Sequence, residues 1–314
     1  MRISSPVHGM IERIYNARRV TVRYHGDADG ISAALMLYEE IPQARFALSR
    51  APVYSREMLF RDLATLSKHD LLVLLDFGSS DASYQNLRIL AEHTNVLVID
   101  HHFPEYDAEF LLNPWKEGKN SDWTTGYYLN TLLDGRYEDL ARISVAGDRT
   151  GITKTSEEDK KKATVLDYAG VYNTSINFFD RALREPLLSE LYHHHELALD
   201  ALFDAIRPIN QRFNGYSFSF LDISDWPEPY PGRGHVANYL LDRGADVVVV
   251  VRGRGFSVRT RLDIDLLRVL KLLRRGGYLR RGGGHPKAIA GYGTTDILIQ
   301  LKRLIKCEVR EHGQ

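Results

Sequence analysis

Four short clusters of acidic and histidine residues carry the chemistry that can be read from this chain: His25-Gly-Asp27-Ala-Asp29-Gly30, the solitary Asp76, Asp100-His101-His102, and Asp148. Carboxylates gathered at one place repel one another and lose their charge unless a cation neutralises them, so such a set points to divalent metal. Mixed carboxylate and imidazole donors suit manganese, magnesium, iron or zinc better than calcium. Two ions about 3.5 to 4 Å apart need a shared carboxylate, and such a pair activates water and clamps a phosphoryl centre. Asp76 is the natural shared ligand. Each motif alone has a plainer reading, because Asp after a strand is usually a turn or helix cap. Their joint occurrence at successive strand ends is hard to explain by caps. The run His193-His194-His195 has no strand-end carboxylate beside it and reads as surface or part-buried histidine.

The elements that must position these residues are strands followed by helices. Residues 20–24, 71–75 and 96–99 are short aliphatic runs, each followed by polar residues and then by helical spacing, with 45–48 a weaker fourth strand. That pattern predicts an α/β fold with a parallel sheet covered by helices on both faces. Ligands bind beyond the carboxyl ends of such strands, and three strand ends here deliver carboxylates or imidazoles to that edge. Asp148 ends a predicted helix. The spacing from residue 123 to about 214 is nearly all helical. This gives residues 1–188 as a metal-binding catalytic domain, 189–214 as a linker helix ended by Pro208 and Asn214-Gly215, and 215–314 as a smaller α/β substrate-binding domain.

The composition of the 314 residues, 44% apolar and 26% charged, excludes wholesale disorder, a collagen repeat and a disulfide scaffold. Cys307 is the only cysteine, which removes every cysteine-based metal motif and suits a reducing, cytoplasmic setting. The aliphatic runs are strand-sized, so no membrane association is expected. Net charge is zero, but residues 251–290 hold eleven basic residues against Asp263 and Asp265, a local +9 that the remainder balances with −9. Within this window, Gly282-Gly283-Gly284-His285 reads as a phosphate cradle, a glycine loop aiming successive N–H groups at one point with a helix amino terminus just beyond. Arg259 and Arg261 alternate along a predicted strand, share a face, and are expected to hold further phosphates.

In order, spacing and context, His25-X-Asp27-X-Asp29-Gly30, Asp76, Asp100-His101-His102, Asp148 and Gly282-Gly-Gly-His285 resemble the DHH/DHHA1 phosphoesterases, the RecJ-like family, over nearly the whole chain. The resemblance implies two manganese ions, with magnesium as the substitute, at an inter-domain cleft. His25 and Asp27 would hold one ion, Asp29, His101 and Asp148 the other, and Asp76 would bridge them. His102 would approach the scissile phosphate and Asp100 would orient its neighbours. Arg259 with the Gly282–His285 segment would hold the nucleotide's phosphate or terminal end. Bacterial RecJ continues into an OB-fold domain for which this length leaves no room, so the short members are the better comparison: archaeal RecJ-like exonucleases and NrnA-type oligoribonucleases. Family II inorganic pyrophosphatases share the first domain but resemble this chain poorly beyond Gly215. The implied activity is exonucleolytic release of mononucleotides from single-stranded DNA, and RNA as a second polymer, in the 3′ to 5′ direction. A helicase or a replication or repair factor is the implied kind of protein partner. The alternatives are a phosphatase of short oligonucleotides, cyclic dinucleotides or phosphoadenosine phosphate, and a non-catalytic replisome scaffold. The scaffold reading is weak because every expected ligand is present.

Overall fold

A computed structural model describes residues 5–312, which divide into two compact units, Met1–His194 and His195–Gln314. The first unit runs α1 (Ser5–Asn16), β1 (Val20–His25), α2 (Ala28–Glu40), β2 (Arg45–Ser49), α3 (Arg56–Leu63), β3 (Leu71–Leu75), α4 (Asp81–Ala91), β4 (Asn95–Ile99), β5 (Leu111–Leu112), α5 (Thr125–Leu132), α6 (Glu138–Asp148), α7 (Glu157–Tyr172) and α8 (Ile176–Ala182), and enters α9 (Leu187–Ala205). Its five strands form one sheet in the order β2-β1-β3-β4-β5, every pair parallel.

Both faces of that sheet are covered, and the alternation of β3 shows how. Leu71, Val73 and Leu75 pack into a core with Ile31 and Met36 of α2 and Leu129 of α5, whereas Leu72 and Leu74 join Leu59 of α3 and Leu87 and Leu90 of α4. Successive strand residues point to opposite faces, so an uninterrupted aliphatic run is what a two-sided burial demands. Because β1 lies between β2 and β3, the strand order reverses direction at the β1–β3 boundary. The crevice beyond the carboxyl ends of those two strands is where a parallel sheet of this order opens to receive a ligand.

The second unit takes the end of α9, then β6 (Ile209–Phe213), β7 (Tyr216–Asp222), α10 (Arg233–Asp242), β8 (Val247–Arg252), β9 (Gly255–Thr260), α11 (Leu266–Arg275), β10 (Leu279–His285), β11 (Ala288–Gly293) and α12 (Ile297–His312). Its six-stranded sheet has the order β10-β11-β9-β8-β7-β6, with β7 and β8 parallel and the other neighbours antiparallel. Val247, Val249 and Val251 pack with α11 and α12 on one face; Val248 and Val250 pack with α10 and Leu202 of α9 on the other.

Two expectations for this region differ from the structure. The helix predicted over 189–214 ends at Ala205, and the boundary between units falls inside it, between His194 and His195. Pro208 keeps the residue before it out of the helical region and offers no N–H. Residues 209–213 instead pair with β7 around Asn214-Gly215, whose φ values of 49° and 83° make the two-residue turn that suits a hairpin. The second difference is the glycine run. Gly282–His285 is part of strand β10, and strand β11, not a helix, follows it. A Cβ on Gly284 would lie 2.1 Å from the Ala288 carbonyl oxygen and one on Gly282 2.7 Å from that of Ala290, so these glycines are required by a close hairpin.

Among the described residues no helix is long and apolar enough to cross a membrane. Cys307 is exposed.

Candidate metal centre

Each predicted donor of the first unit falls where the fold delivers it to one edge of the sheet. His25 is the last residue of β1, Asp76 follows β3, Asp100 and His101 follow β4, and Asp148 is the last residue of α6. Asp27 caps α2, its Oδ1 accepting the Gly30 N–H at 3.0 Å, and Asp29 sits in the first turn of that helix. The backbone at Asp76 is left-handed, φ 64°, an uncommon conformation for a residue with a side chain and one that clusters at functional sites.

The donor atoms converge. His25 Nδ1 lies 2.6 Å from Asp27 Oδ2 and 3.3 Å from Asp76 Oδ2. His101 Nε2 lies 3.1 Å from Asp148 Oδ2, 3.5 Å from Asp76 Oδ1 and 3.7 Å from Asp29 Oδ2. Two groups, His25 with Asp27 and Asp76, and Asp29 with His101 and Asp148, each bring their donor atoms within 4.8 Å of one another. A third, Asp76 with Asp100 and His102, meets the same criterion, so Asp76 belongs to more than one group.

The surrounding hydrogen bonds fix which atoms are offered. His101 Nδ1 is 3.0 Å from the Ser121 carbonyl, which requires the proton on Nδ1 and turns Nε2 toward the carboxylates. Asp29 accepts the Thr125 and Gly126 N–H groups at the start of α5, at 2.8 and 2.7 Å, and the Ser144 hydroxyl at 2.6 Å. Thr125 Oγ1 donates to Asp76 at 3.1 Å. Asp100 accepts the Ser79 N–H at 2.8 Å and holds His102 Nδ1 at 2.8 Å.

Electrostatics separate the carboxyls. Burial, then the charges of Asp27, Asp29, Asp148 and Asp100, push Asp76 well above the ordinary range. Asp29 is raised as well, by burial and by Asp148. At Asp27 and Asp100 burial works the same way, but His25 and His102 respectively outweigh it and hold these carboxyls below the usual range. Burial likewise opposes the histidine protons and is overcome, chiefly by Asp27 at His25, raised to about 9, and by Asp148 at His101, raised to about 10. Protons are thus standing where positive charge is needed.

These residues fit divalent cations. Oxygen and nitrogen ligands about 2.1 Å from an ion at right angles lie about 3 Å apart, close to the spacing of His101 Nε2 from its carboxylates. A cation would supply the charge that an excess of buried carboxylates otherwise takes from protons.

The second-unit residues are placed less uniformly. Arg261 lies beyond the end of β9. It donates from Nε to the Ala245 carbonyl at 2.8 Å and from Nη2 to the Leu241 carbonyl at 3.1 Å, with Asp246 at 3.3 Å, so it closes the carboxyl end of α10 and does not share a strand face with Arg259. Arg259 remains on β9, its Nη1 3.2 Å from Ser257 Oγ. Gly282, Gly283, Gly284 and His285 lie on β10, an outer strand of the sheet.

Sequence reading missed the residues that hold the ligands, Ser79, Thr125, Gly126 and Ser144, and those that hold the backbone beside them, Asn113 at the His102 carbonyl and Asp167 at the Ala28 N–H. Some signal was present. Thr124-Thr125-Gly126 opens a helix in the manner of a cap, and Ser144 precedes Asp148 by four residues, on the same face of α6.

Solved structures share this fold. A DHH domain described as belonging to a member of a family of ribosomal proteins superposes with a TM-score of 0.75 at 19% identity, over 99% of this chain and 93% of that one. RecJ from Thermus thermophilus, solved with Mn2+, gives 0.66 at 17% identity over 98% of this chain, which spans 55% of that protein. An exonuclease RecJ bound to manganese gives 0.58 at 18% identity, covering 98% and 94%. At these identities the likeness establishes the fold. No curated protein matches the chain in sequence. Residues 19–147, which carry all the first-unit donors except Asp148, match the family model described as the DHH family, N-terminal domain, so this part of the chain is a DHH-family domain.

Proposed function

We propose that this chain is a RecJ-like phosphoesterase, a manganese-dependent exonuclease that releases mononucleotides from single-stranded DNA, with RNA as a second polymer, in the 3′ to 5′ direction. The observation that carries the reading is the convergence of His25, Asp76 and His101 from three parallel strand ends on one buried carboxylate cluster. In the proposed arrangement His25 and Asp27 hold one divalent cation, Asp29, His101 and Asp148 hold a second, and Asp76 is shared. Divalent cations so held would supply a more acidic water and polarisation of the phosphoryl oxygens. Magnesium is the expected substitute; two RecJ structures from Thermus thermophilus contain Mn2+ and Mg2+ respectively.

The chain's own residues do the rest. Asp100 takes Nδ1 of His102, which leaves Nε2 as the nitrogen that meets a phosphoryl or leaving-group oxygen. His102 is 41% exposed in its side chain, against 1% for His101, so of the two it is the one a substrate can reach. Helix α11 supports a polymeric substrate: Leu266, Val269, Leu270 and Leu273 are buried, while Arg268, Lys271, Arg274 and Arg275 are exposed, with Arg280 and Arg281 beyond. A row of cations tracks a phosphate backbone without reading sequence. A helicase or repair protein as partner and a cytoplasmic site of action belong to the same proposal.

The test is a product ladder from 5′- and 3′-labelled DNA and RNA of several lengths, with metal removed and then restored as manganese or magnesium. Mononucleotides released from the 3′ end in manganese are expected. Cleavage confined to substrates of two to four nucleotides would assign the chain to the short-oligonucleotide phosphatases instead.

A further inference from the structure

Phe103, the residue directly after His102, is 61% exposed. Lone exposed apolar side chains are ordinary, but this one ends the loop that carries Asp100, His101 and His102, and four backbone groups of that loop are held by hydrogen bonds. The Asp100 N–H donates to the Leu112 carbonyl and the His102 N–H to Asp100 Oδ1, at 3.2 Å each. The His101 carbonyl accepts the Trp115 indole N–H at 3.0 Å and the His102 carbonyl the Asn113 amide at 2.9 Å. Phe103 then meets Trp115 edge to face, with ring centroids 5.3 Å apart and planes at 78°. The acidic side chain that follows, Glu105, is turned to the start of α4, where it accepts the Asp81 N–H at 3.0 Å.

The result is a mostly open aromatic ring on a rigid support, next in the chain to the histidine that a phosphodiester would meet. We propose that Phe103 is a stacking platform for the nucleobase of the nucleotide bound at His102. This inference rests on the nuclease reading above and deepens it. In a nucleotide the base stands one sugar away from its phosphate, so a site that grips the phosphate at His102 holds the base near the adjacent side chain. Every base has a π-face, so a stacking platform is tolerant of sequence, as an enzyme that shortens strands of any composition requires. The ring has few torsions to freeze and its backbone is already fixed, which lowers the ordering cost of binding.

The experiment uses the full chain, with calcium in place of manganese to hold turnover while binding is measured. Labelled oligonucleotides that end either in a normal nucleotide or in an abasic tetrahydrofuran unit are titrated against wild type, Phe103→Ala and Phe103→Trp. The proposal expects wild type to bind the normal end more tightly. Phe103→Ala should lose about 5- to 100-fold on that end and change little on the abasic end, while Phe103→Trp restores the preference. Equal losses on both ends, or no loss on either, overturns the platform. Hydrolysis in manganese is scored separately. A base-dependent loss of binding without any hydrolysis would keep the platform and sink the nuclease reading, whereas hydrolysis by a Phe103→Ala variant indifferent to the base would do the reverse.

Discussion

The carboxylate of Asp167, on α7, accepts the backbone N–H of Ala28 at 2.7 Å, across 139 residues of chain. Ala28 stands between Asp27 and Asp29 and opens α2, so this bond fixes the turn from which both carboxylates are presented. The same contact is supported by Gly170, one helical turn on, where a Cβ would come 2.2 Å from the Gly26 carbonyl oxygen. Asp167 is a positioning residue: it holds the backbone of the turn from which the two carboxylates are presented.

Asp167→Ala should therefore leave an N–H without its charged acceptor and cost about 1 to 3 kcal/mol of stability. Because the turn also loses its register, manganese affinity should fall further than the stability loss explains, while Asp167→Asn, which keeps an acceptor oxygen, should recover most of both. Denaturant melts and manganese titrations check this. Wild-type metal affinity in the Ala variant would show that the turn is held without Asp167.

Asp76→Asn separates fold from chemistry. In the metal-free protein the buried carboxyl faces Asp27, Asp29, Asp148 and Asp100, and a neutral amide of the same shape relieves that repulsion. The apo variant should melt at or above the wild-type temperature. It should also lose the stabilisation that bound manganese gives the wild type, about 2.7 kcal/mol per site at a hundredfold excess over Kd, together with its activity. Turnover at the wild-type rate in saturating manganese would exclude Asp76 as a shared ligand.

A pH dependence is expected in the second unit. His195 on α9 contacts the Tyr230 hydroxyl through Nδ1, and burial, with His235 nearby, lowers its pKa from 6.5 to about 4. The folded state thus binds this proton less readily than the unfolded one. Stability from His195 is full above pH 6.5, is lost as pH falls from about 6.5 to 4, and levels below that. At about 1.36 kcal/mol per unit the fall amounts to about 3 kcal/mol. His195→Gln keeps a hydrogen-bonding group for Tyr230 but does not titrate. Urea melts of metal-free wild type and variant between pH 4 and 7 should diverge over that window, and parallel curves would refute the assignment.

How far the sequence could be read depended on whether a residue's position announced itself locally. The β3 run Leu71–Leu75 is buried on both faces and looks like a strand from any distance, and the acidic or histidine residue after each such run located the cluster. Residues 209–213 gave no such signal, because Ile209 through Arg212 are exposed and neither face has an apolar period. Gly282-Gly283-Gly284 suggested a loop since glycine usually marks one, yet Gly282 and Gly284 are glycines because a neighbouring strand's carbonyls leave no room for a Cβ. Asp167 and Ser144 act on Ala28 and Asp29, 139 and 115 residues away, and no spacing rule reaches that far. Arg261 looked like a partner of Arg259 by alternation, but β9 ends before it and its guanidinium is drawn to the end of α10.

The last prediction concerns the length of the bound strand. If the cations of α11 and β10 track a polymer, each phosphate they neutralise releases condensed counterions, with a slope of about −0.7 in log affinity against log salt per contact on single strands. A dinucleotide has too few phosphates to reach Lys271, Arg275, Arg280 and Arg281 together, so its binding should depend on salt more weakly than that of a long strand. Arg259→Ala should weaken binding of both while leaving manganese affinity unchanged, since a guanidinium is not a ligand for the cation. Binding is measured against salt for a dinucleotide and a long single strand, again with calcium in place of manganese. A steeper slope for the long strand, reduced by about 0.7 for each cation removed from α11, supports the exonuclease. Equal slopes would mean that the basic surface never meets a polymer, and the enzyme would then be a phosphatase of short oligonucleotides.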